Sequence, residues 1–253
     1  MAPVTPKGAS PNGQRSEGNP ATTVSDASDQ LRSQPPRFLQ RLVHEVRSPA
    51  HAIHISLSIL SESLKGVEIP SEAQEALALL GGTSDELRCT LRSLSRFAHT
   101  LDEIQLSPLK VKARISAVWE KLAASHQGSK PTFSNSAEDF ALVGDDRMFD
   151  LAVECILDNS LKFASPERPL EISVTSESTD DGHLLRFQDN GIGIEEEYLA
   201  KCYEPFERLF PRTVYPGAGL GIPTASTCLK HMSGEVELTP LPEGALASFR
   251  FSN

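Results

Sequence analysis

Between positions 43 and 64 the apolar residues Val43, Val46, Ala50, Ile53, Leu57, Leu60 and Leu64 step alternately by three and four, the spacing that lines one seam of a packed helix. A break at "KGVEIP" precedes a second series of similar period: Ala73, Leu77, Leu80, Ser84, Leu87, Leu91, Leu94, Ala98 and Leu101. Two such runs predict an antiparallel helical hairpin, each helix about 28 to 34 residues and roughly 40 to 50 Å long. An isolated pair of that length leaves much apolar surface wet, so two hairpins are expected to associate as a four-helix bundle, making the protein a homodimer. Gly81 and Gly82 lie inside the second helix and are expected to weaken or bend it.

The rest of the composition bounds the function. Residues 1–36 are rich in Pro, Gly, Ser and Asn and almost free of large apolar side chains, so they cannot offset their ordering entropy. They are expected to form a disordered leader, which leaves no folded sensor domain before the hairpin: input would come from a separate sensor protein, or the chain is a fragment. Twenty-four Lys and Arg against 34 Asp and Glu give a formal charge of -10, which opposes non-specific binding to nucleic acid or an anionic membrane. No apolar run approaches the ~18 to 20 residues of a membrane helix and no signal sequence opens the chain, so no membrane insertion and a cytoplasmic location are expected. Cys89, Cys155, Cys202 and Cys228 are scattered without CxxC spacing, which predicts free thiols rather than a zinc site or disulfides.

The first helix contains "LVHEVRSPAHAIHISLSIL", with a proline inside it. Pro49 cannot donate to the carbonyl of Glu45, a loss worth roughly 3 kcal/mol in a helix interior, so the helix is expected to bend about one turn past His44. His44 follows the seam position Val43 and should sit at the edge of the packed stripe with its ring in solvent. Ser48, four residues on, shares its face. On this segment alone, a surface histidine beside an unrelated kink explains the pattern equally well.

The C-terminal half supplies the other motifs. A helix is expected from about Ala113 to Ser125, then short strands in "KPTFSNS" and "DFALVGD". Next comes a helix through "DRMFDLAVECILDNSLKFA", capped by Asp145 or Asp146, with Leu151, Ile156, Leu157 and Leu161 near one face. Strands at "PLEISVTSES" and "GHLLRFQDN" lead to two glycine-rich turns, "DNGIGI" and "GAGLGI", the second opening a helix with Pro223 in its first turn. Either turn alone is ordinary, and neither fits the P-loop or the dinucleotide fingerprint.

Taken together, "HEVRSP", "LDNSLKFASP", "DNGIGI", "EPFERL" and "GAGLGI", in that order, resemble the transmitter module of sensor histidine kinases of two-component systems. The compact "EPFERLFPRTVYPGAGLGI" is similar to the short lid of phytochrome-type kinases. The resemblance implies an α+β chain: a dimerisation and phosphotransfer hairpin over residues 37–105, then an α/β sandwich of the Bergerat (GHKL) ATPase type over residues 106–253. It implies ATP and Mg2+ as cofactors and a response-regulator receiver domain as partner, whose aspartate takes the phosphate.

By the same resemblance His44 is the phosphoacceptor and Glu45 the base at its other ring nitrogen. A neutral imidazole, with its ordinary pKa of about 6.5, suits the acceptor role. Ser48, where threonine is usual, would hold a water for weak phosphatase activity. Asn159 matches the magnesium ligand, Lys162 meets the phosphate chain, Asp189 accepts the adenine amino group, and Gly191 and Gly193 let backbone approach the base. Gly217, Gly219 and Gly221 shape the lid's return to a helix start. Arg208 faces the γ-phosphate, and Phe206 packs the lid.

The chain departs from the pattern at Cys155, where the family's first N-box asparagine stands; a thiol is a poor magnesium ligand, and Glu154 beside it is rotated by about 100°. That keeps open a non-catalytic phosphotransfer adaptor with a degenerate ATP-binding domain, although intact glycine turns have no purpose in such a protein. A chaperone- or mismatch-repair-type ATPase is a poorer match, since it needs neither the hairpin nor Lys162. Among the other histidines, His54 is the only credible rival acceptor, nearly on the face of His44.

Overall fold

The computed structural model describes residues 35–126, 131–211 and 214–252. The leader expected over residues 1–36 lies outside the described residues, apart from the two prolines that begin the first helix. The hairpin consists of α1 (Pro35–Ser63) and α2 (Ser71–His99). Its register is fixed by Gln40, whose amide donates to Ala98 O and to Asp102, and by His54 Nε2, which lies 2.8 Å from Arg88 Nη1.

Burial divides each apolar series in two. On α1, Val43 and Ala50 are buried against α2 and Leu57 is half-buried, whereas Val46, Ile53 and Leu60 are exposed. On α2, Ser84, Leu91 and Ala98 are buried, while Leu80 and Leu87 are exposed. Every second seam position therefore closes the hairpin, and the alternate positions form an apolar stripe along its outside. The helices are too slender to cover both with one partner.

Gly81 and Gly82 do not interrupt α2, which is helical through both. A β-carbon built at either would meet nothing within 4 Å. Replacing glycine by alanine in an open helix interior lowers the entropy of the unfolded chain and is worth about 0.5–1 kcal/mol. Gly82→Ala is therefore expected to raise the thermal midpoint followed by circular dichroism at 222 nm. A lower midpoint would mean that a second helix packs closely over this glycine.

Past the hairpin, β1 (Leu106–Pro108) pairs antiparallel with β3 (Val143–Asp145), and α3 (Val111–Ser125) and β2 (Thr132–Asn135) lie between them in sequence. Then come α4 (Asp146–Lys162), β4 (Glu171–Thr179), β5 (Gly182–Asp189), a 3-10 turn (Glu196–Tyr198), a short α5 (Leu199–Cys202), α6 (Gly221–Lys230), β6 (Gly234–Pro240) and β7 (Ala245–Ser252). The main sheet has the order β2-β4-β5-β7-β6, antiparallel except for the β2–β4 pair. Helices α3, α4 and α6 cover one face, joined to it by a single core that includes Ile115, Phe149, Ile172, Phe187, Leu229 and Phe249. The result is a two-layer α/β sandwich behind a helical hairpin.

The residues of α4 that enter this core are Met148, Phe149, Ala152, Val153, Cys155, Ile156 and Leu157; Leu151 and Leu161, expected near the same face, are only half-buried. Of the two candidate caps, Asp145 takes the role, its Oδ1 accepting from Arg147 N at 2.9 Å and Met148 N at 3.3 Å. Its Oδ2 accepts from Gln105 N at 2.8 Å, so the same carboxylate fastens the chain leaving the hairpin to the start of α4. Burial alone would raise its pKa, but the hydrogen bonds from Arg147 and three backbone amides hold it down at about 2. All four cysteines are free thiols.

Candidate functional site

The phosphoacceptor candidate stands on the hairpin. The side chain of His44 is 81% exposed, and its Nδ1 lies 4.0 Å from Glu45 Oε1. Ser48 is exposed one turn further on, and the helix continues through Pro49. His54 is differently placed: besides its contact with Arg88, its Nδ1 is 3.5 Å from Asp85 Oδ1. Both ring nitrogens of that rival are engaged within the hairpin.

The remaining candidates gather at a cavity of about 500 Å³ between α4, the end of β5, residues 207–210 and 215–220, and the start of α6. Asn159, Lys162, Asp189 and Arg208 all line it, as do Gly193, Gly217, Gly219 and Gly221. Gly191 does not; it supports the site from beneath, where a β-carbon would lie 2.5 Å from Phe163 O.

Asp189 is the most tightly held of them. Its Oδ1 accepts from Gly191 N at 3.0 Å and from Ala245 N at 3.3 Å, and its Oδ2 accepts from the Ser160 hydroxyl at 2.8 Å. Ser160 is buried on α4 and supports this carboxylate. Asn159 lies against the first residue of α6, with its amide atoms 3.3 Å from where a Gly221 β-carbon would be. The N-terminal turn of α6, with its unpaired amides, opens onto the cavity beside it.

Lys162 reaches the backbone of the lid. Gly217 has φ +153, a conformation that favours glycine, and a β-carbon there would lie 2.6 Å from Lys162 Nζ, so the ammonium would have to shift. Burial lowers the pKa of Lys162, and the nearby Arg208 guanidinium lowers it further. Two cations thus share one wall of a partly enclosed space, an arrangement that an anion stabilises. Arg208 Nη2 also donates to Tyr215 O at 2.7 Å, tying together the two arms of the lid.

The lid is braced by aromatic rings that sequence reasoning missed. Phe163, Phe210 and Tyr215 form a cluster with centroid separations of 5.1 to 5.9 Å, joining the end of α4 to both arms. Aromatic residues at both ends of "LFPRTVYP" are the signal that could have found it. Phe206, expected to pack the lid, is instead 55% exposed on left-handed backbone with φ 70, its N–H donating to Gly219 O. Phe210 does the packing because the turn at Phe206 directs its side chain outward.

For a hard cation the cavity offers the amide oxygen of Asn159. Cys155 also lines it but belongs to the core; burial pushes its thiol up to about 12, so it is protonated and a weak donor at neutral pH. Glu154 and Asp158 carry oxygens at the rim, both taken by Arg96 of α2. Among the described residues no group of three His, Cys, Asp or Glu side chains converges to hold a metal. A dication here would rest on Asn159, ligand oxygens and water, which is compatible with the way magnesium is bound beside phosphates.

Residues 144–252 match the family model described as histidine kinase-, DNA gyrase B-, and HSP90-like ATPase. The chain is 28% identical over 211 residues to the swarming motility regulation sensor protein RssA of Serratia marcescens, covering 80% of this chain and 43% of that protein. It is 26% identical over 215 residues to the sensor protein CreC of Escherichia coli, covering 85% and 44%. The chain therefore spans less than half the length of these two relatives. Full-length ShkA in complex with AMPPNP has the same fold, with a TM-score of 0.59 at 21% identity over 86% of this chain and 46% of that one. The Acinetobacter baumannii histidine kinase AdeS matches with a TM-score of 0.55 at 18% identity, over 83% of this chain and 97% of that one. No helix among the described residues is long and apolar enough to cross a membrane. Residues 144–252 thus form an ATPase domain matching this family model, and with the helical hairpin that leads into it the chain is similar to sensor histidine kinases.

Proposed function

We propose that this chain is an ATP-dependent protein-histidine kinase that phosphorylates His44 and passes the phosphoryl group to an aspartate of a response-regulator receiver domain. The observation that carries this is the convergence of Asn159, Lys162, Asp189 and Arg208 on one cavity, behind a hairpin with a solvent-exposed histidine next to a carboxylate. In this scheme residues 37–105 dimerise and accept phosphate, and residues 106–253 bind the nucleotide. The exposed stripe of Val46, Ile53, Leu60, Leu80 and Leu87 suits pairing with a second hairpin.

Asp189 would accept from the adenine amino group, while Lys162 and Arg208 meet the phosphates. Asn159 would hold magnesium, which supplies charge neutralisation of the phosphates when bound. Glu45, near Nδ1, keeps the proton at that nitrogen or accepts it, leaving the Nε2 lone pair to attack the γ-phosphorus. The Nε2–P bond forms, the bridging bond to the β-phosphate breaks, and ADP leaves with the electron pair. Ser48 would then hold a water that hydrolyses the phospho-aspartate of the receiver.

Incubation with Mg2+ and γ-labelled ATP tests the scheme: acid-labile, base-stable label is expected on the protein, and its transfer to a receiver domain should follow. Ser48→Ala should slow loss of label from the receiver without slowing the gain at His44. Nucleotide binding without any label would leave the adaptor, for which the buried Cys155 in the N-box is the specific observation.

A further inference from the structure

The cavity has a second wall that the proposed chemistry does not use. Cys89, Arg92, Ser93 and Arg96, all on α2, line it, and among the described residues no lining residue comes from α1. The register set by Gln40 with Ala98 and His54 with Arg88 puts His44 level with about residues 94 to 98, at the height of Arg96 but on the other helix. The domain is thus at the right height along the hairpin, but its cavity is turned to α2 and His44 does not line it.

Arg96 holds it there. Its guanidinium pairs with Glu154 through Nη2 and with Asp158 Oδ2 through Nη1 at 3.4 Å. The side chains of Arg96 and Glu154 are only 28% and 20% exposed, so this pair is less weakened by solvent than a surface one. The two carboxylates are four residues apart on α4 and immediately precede Cys155 and Asn159, so the arginine clamps the helix that carries the cation and phosphate contacts. Below it lies a separate joint: Asp145 accepts from Gln105 N, Arg147 Nη2 donates to Glu103 O at 2.9 Å, and His231 Nε2 is 2.8 Å from Thr100 O. Breaking the Arg96 pairs would leave that joint as a pivot.

We propose that Arg96 is an interdomain latch, released by the triphosphate of the bound nucleotide, that holds the ATP-binding domain with its cavity against α2 and away from His44. The inference rests on the kinase reading of the cavity. A triphosphate entering beside Lys162 and Arg208 reaches the wall where Arg96 stands and offers oxygens that compete with Glu154 and Asp158 for it. Exchange of partners lets the arginine leave the carboxylates without being left buried and unpaired, the state that makes breaking such a pair costly. A diphosphate, one phosphoryl group shorter, competes less well.

The test compares the wild type with Arg96→Ala and with the exchanged pair Arg96→Glu with Glu154→Arg. X-ray scattering and nucleotide titration are measured beside the initial rate of phosphate gain. Wild type should expand on adding a non-hydrolysable ATP analogue and not on adding ADP. Arg96→Ala should be expanded without nucleotide, keep its far-ultraviolet circular dichroism, and gain phosphate about three- to tenfold faster, while the exchanged pair recovers the compact, slow state only in part, because Asp158 then faces a carboxylate. If Arg96→Ala stays compact, or expands but gains phosphate more slowly, the pair serves the productive arrangement and the latch is wrong. Scattering and titration do not depend on phosphate at His44. Nucleotide-driven expansion with no label would therefore sink the kinase and leave the latch, whereas label without expansion would sink the latch and leave the kinase.

Discussion

Asp189→Asn should weaken ATP binding by about ten- to a hundredfold while leaving the domain folded, the range expected for one hydrogen bond to a charged group. The carboxylate has three donors already, from Gly191 N, Ala245 N and the Ser160 hydroxyl, and Oδ2 is the oxygen with capacity left for a ligand. In the asparagine variant Oδ1 still accepts from both backbone amides, which fixes the NH2 on the side of Ser160. The serine hydroxyl can turn to accept, so the fold is spared. A ligand amino group then meets a donor instead of an acceptor. Inosine triphosphate, which carries a carbonyl in place of the adenine amino group, should consequently bind the variant better than ATP does, reversing the wild-type order. Titration of both nucleotides against both proteins decides the matter, and equal weakening for the two would move the base away from Asp189.

How far this site could be read from the sequence depended on whether a contact is local. The hairpin was legible because seam positions recur along each helix, and the cap of α4 because Asp145 serves amides two and three residues away. The glycine turns were legible as a set, and Gly217 and Gly221 come to stand close against the side chains of Lys162 and Asn159. What periodicity could not separate was which seam positions close the hairpin and which stay exposed: Val43 and Val46 look alike in sequence, yet one is buried and the other is not. Long-range partners were also hidden. Nothing near Ser160 in sequence announces Asp189, and nothing near Arg96 announces Glu154, because those pairs exist only once α4 has packed on the sheet and α2 on α4. Phe206 misled for a local reason, the positive φ that turns it to solvent.

His44→Gln should reduce acid-labile phosphate on the protein to background, whereas His54→Gln should leave it unchanged. Both histidines are on α1, ten positions apart, and hydropathy does not distinguish them. Their hydrogen bonding does. A nucleophilic imidazole needs one nitrogen with a free lone pair and access to the phosphorus. At His54 the lone pair of Nε2 faces the Arg88 guanidinium at 2.8 Å and Nδ1 faces Asp85, so attack would require breaking both contacts. His44 has its ring in solvent with a single neighbour, Glu45, at 4.0 Å from Nδ1, a separation that a small side-chain rotation closes to a hydrogen bond. Glutamine keeps the length and helix propensity of the position but has no basic nitrogen, so loss of label cannot be laid to a damaged hairpin if the thermal midpoint is unchanged. Glu45→Gln should be milder, lowering the initial rate by about a hundredfold, the size usual for a positioned base. Label that survives in His44→Gln and disappears in His54→Gln would transfer the acceptor role and detach Glu45 from the chemistry.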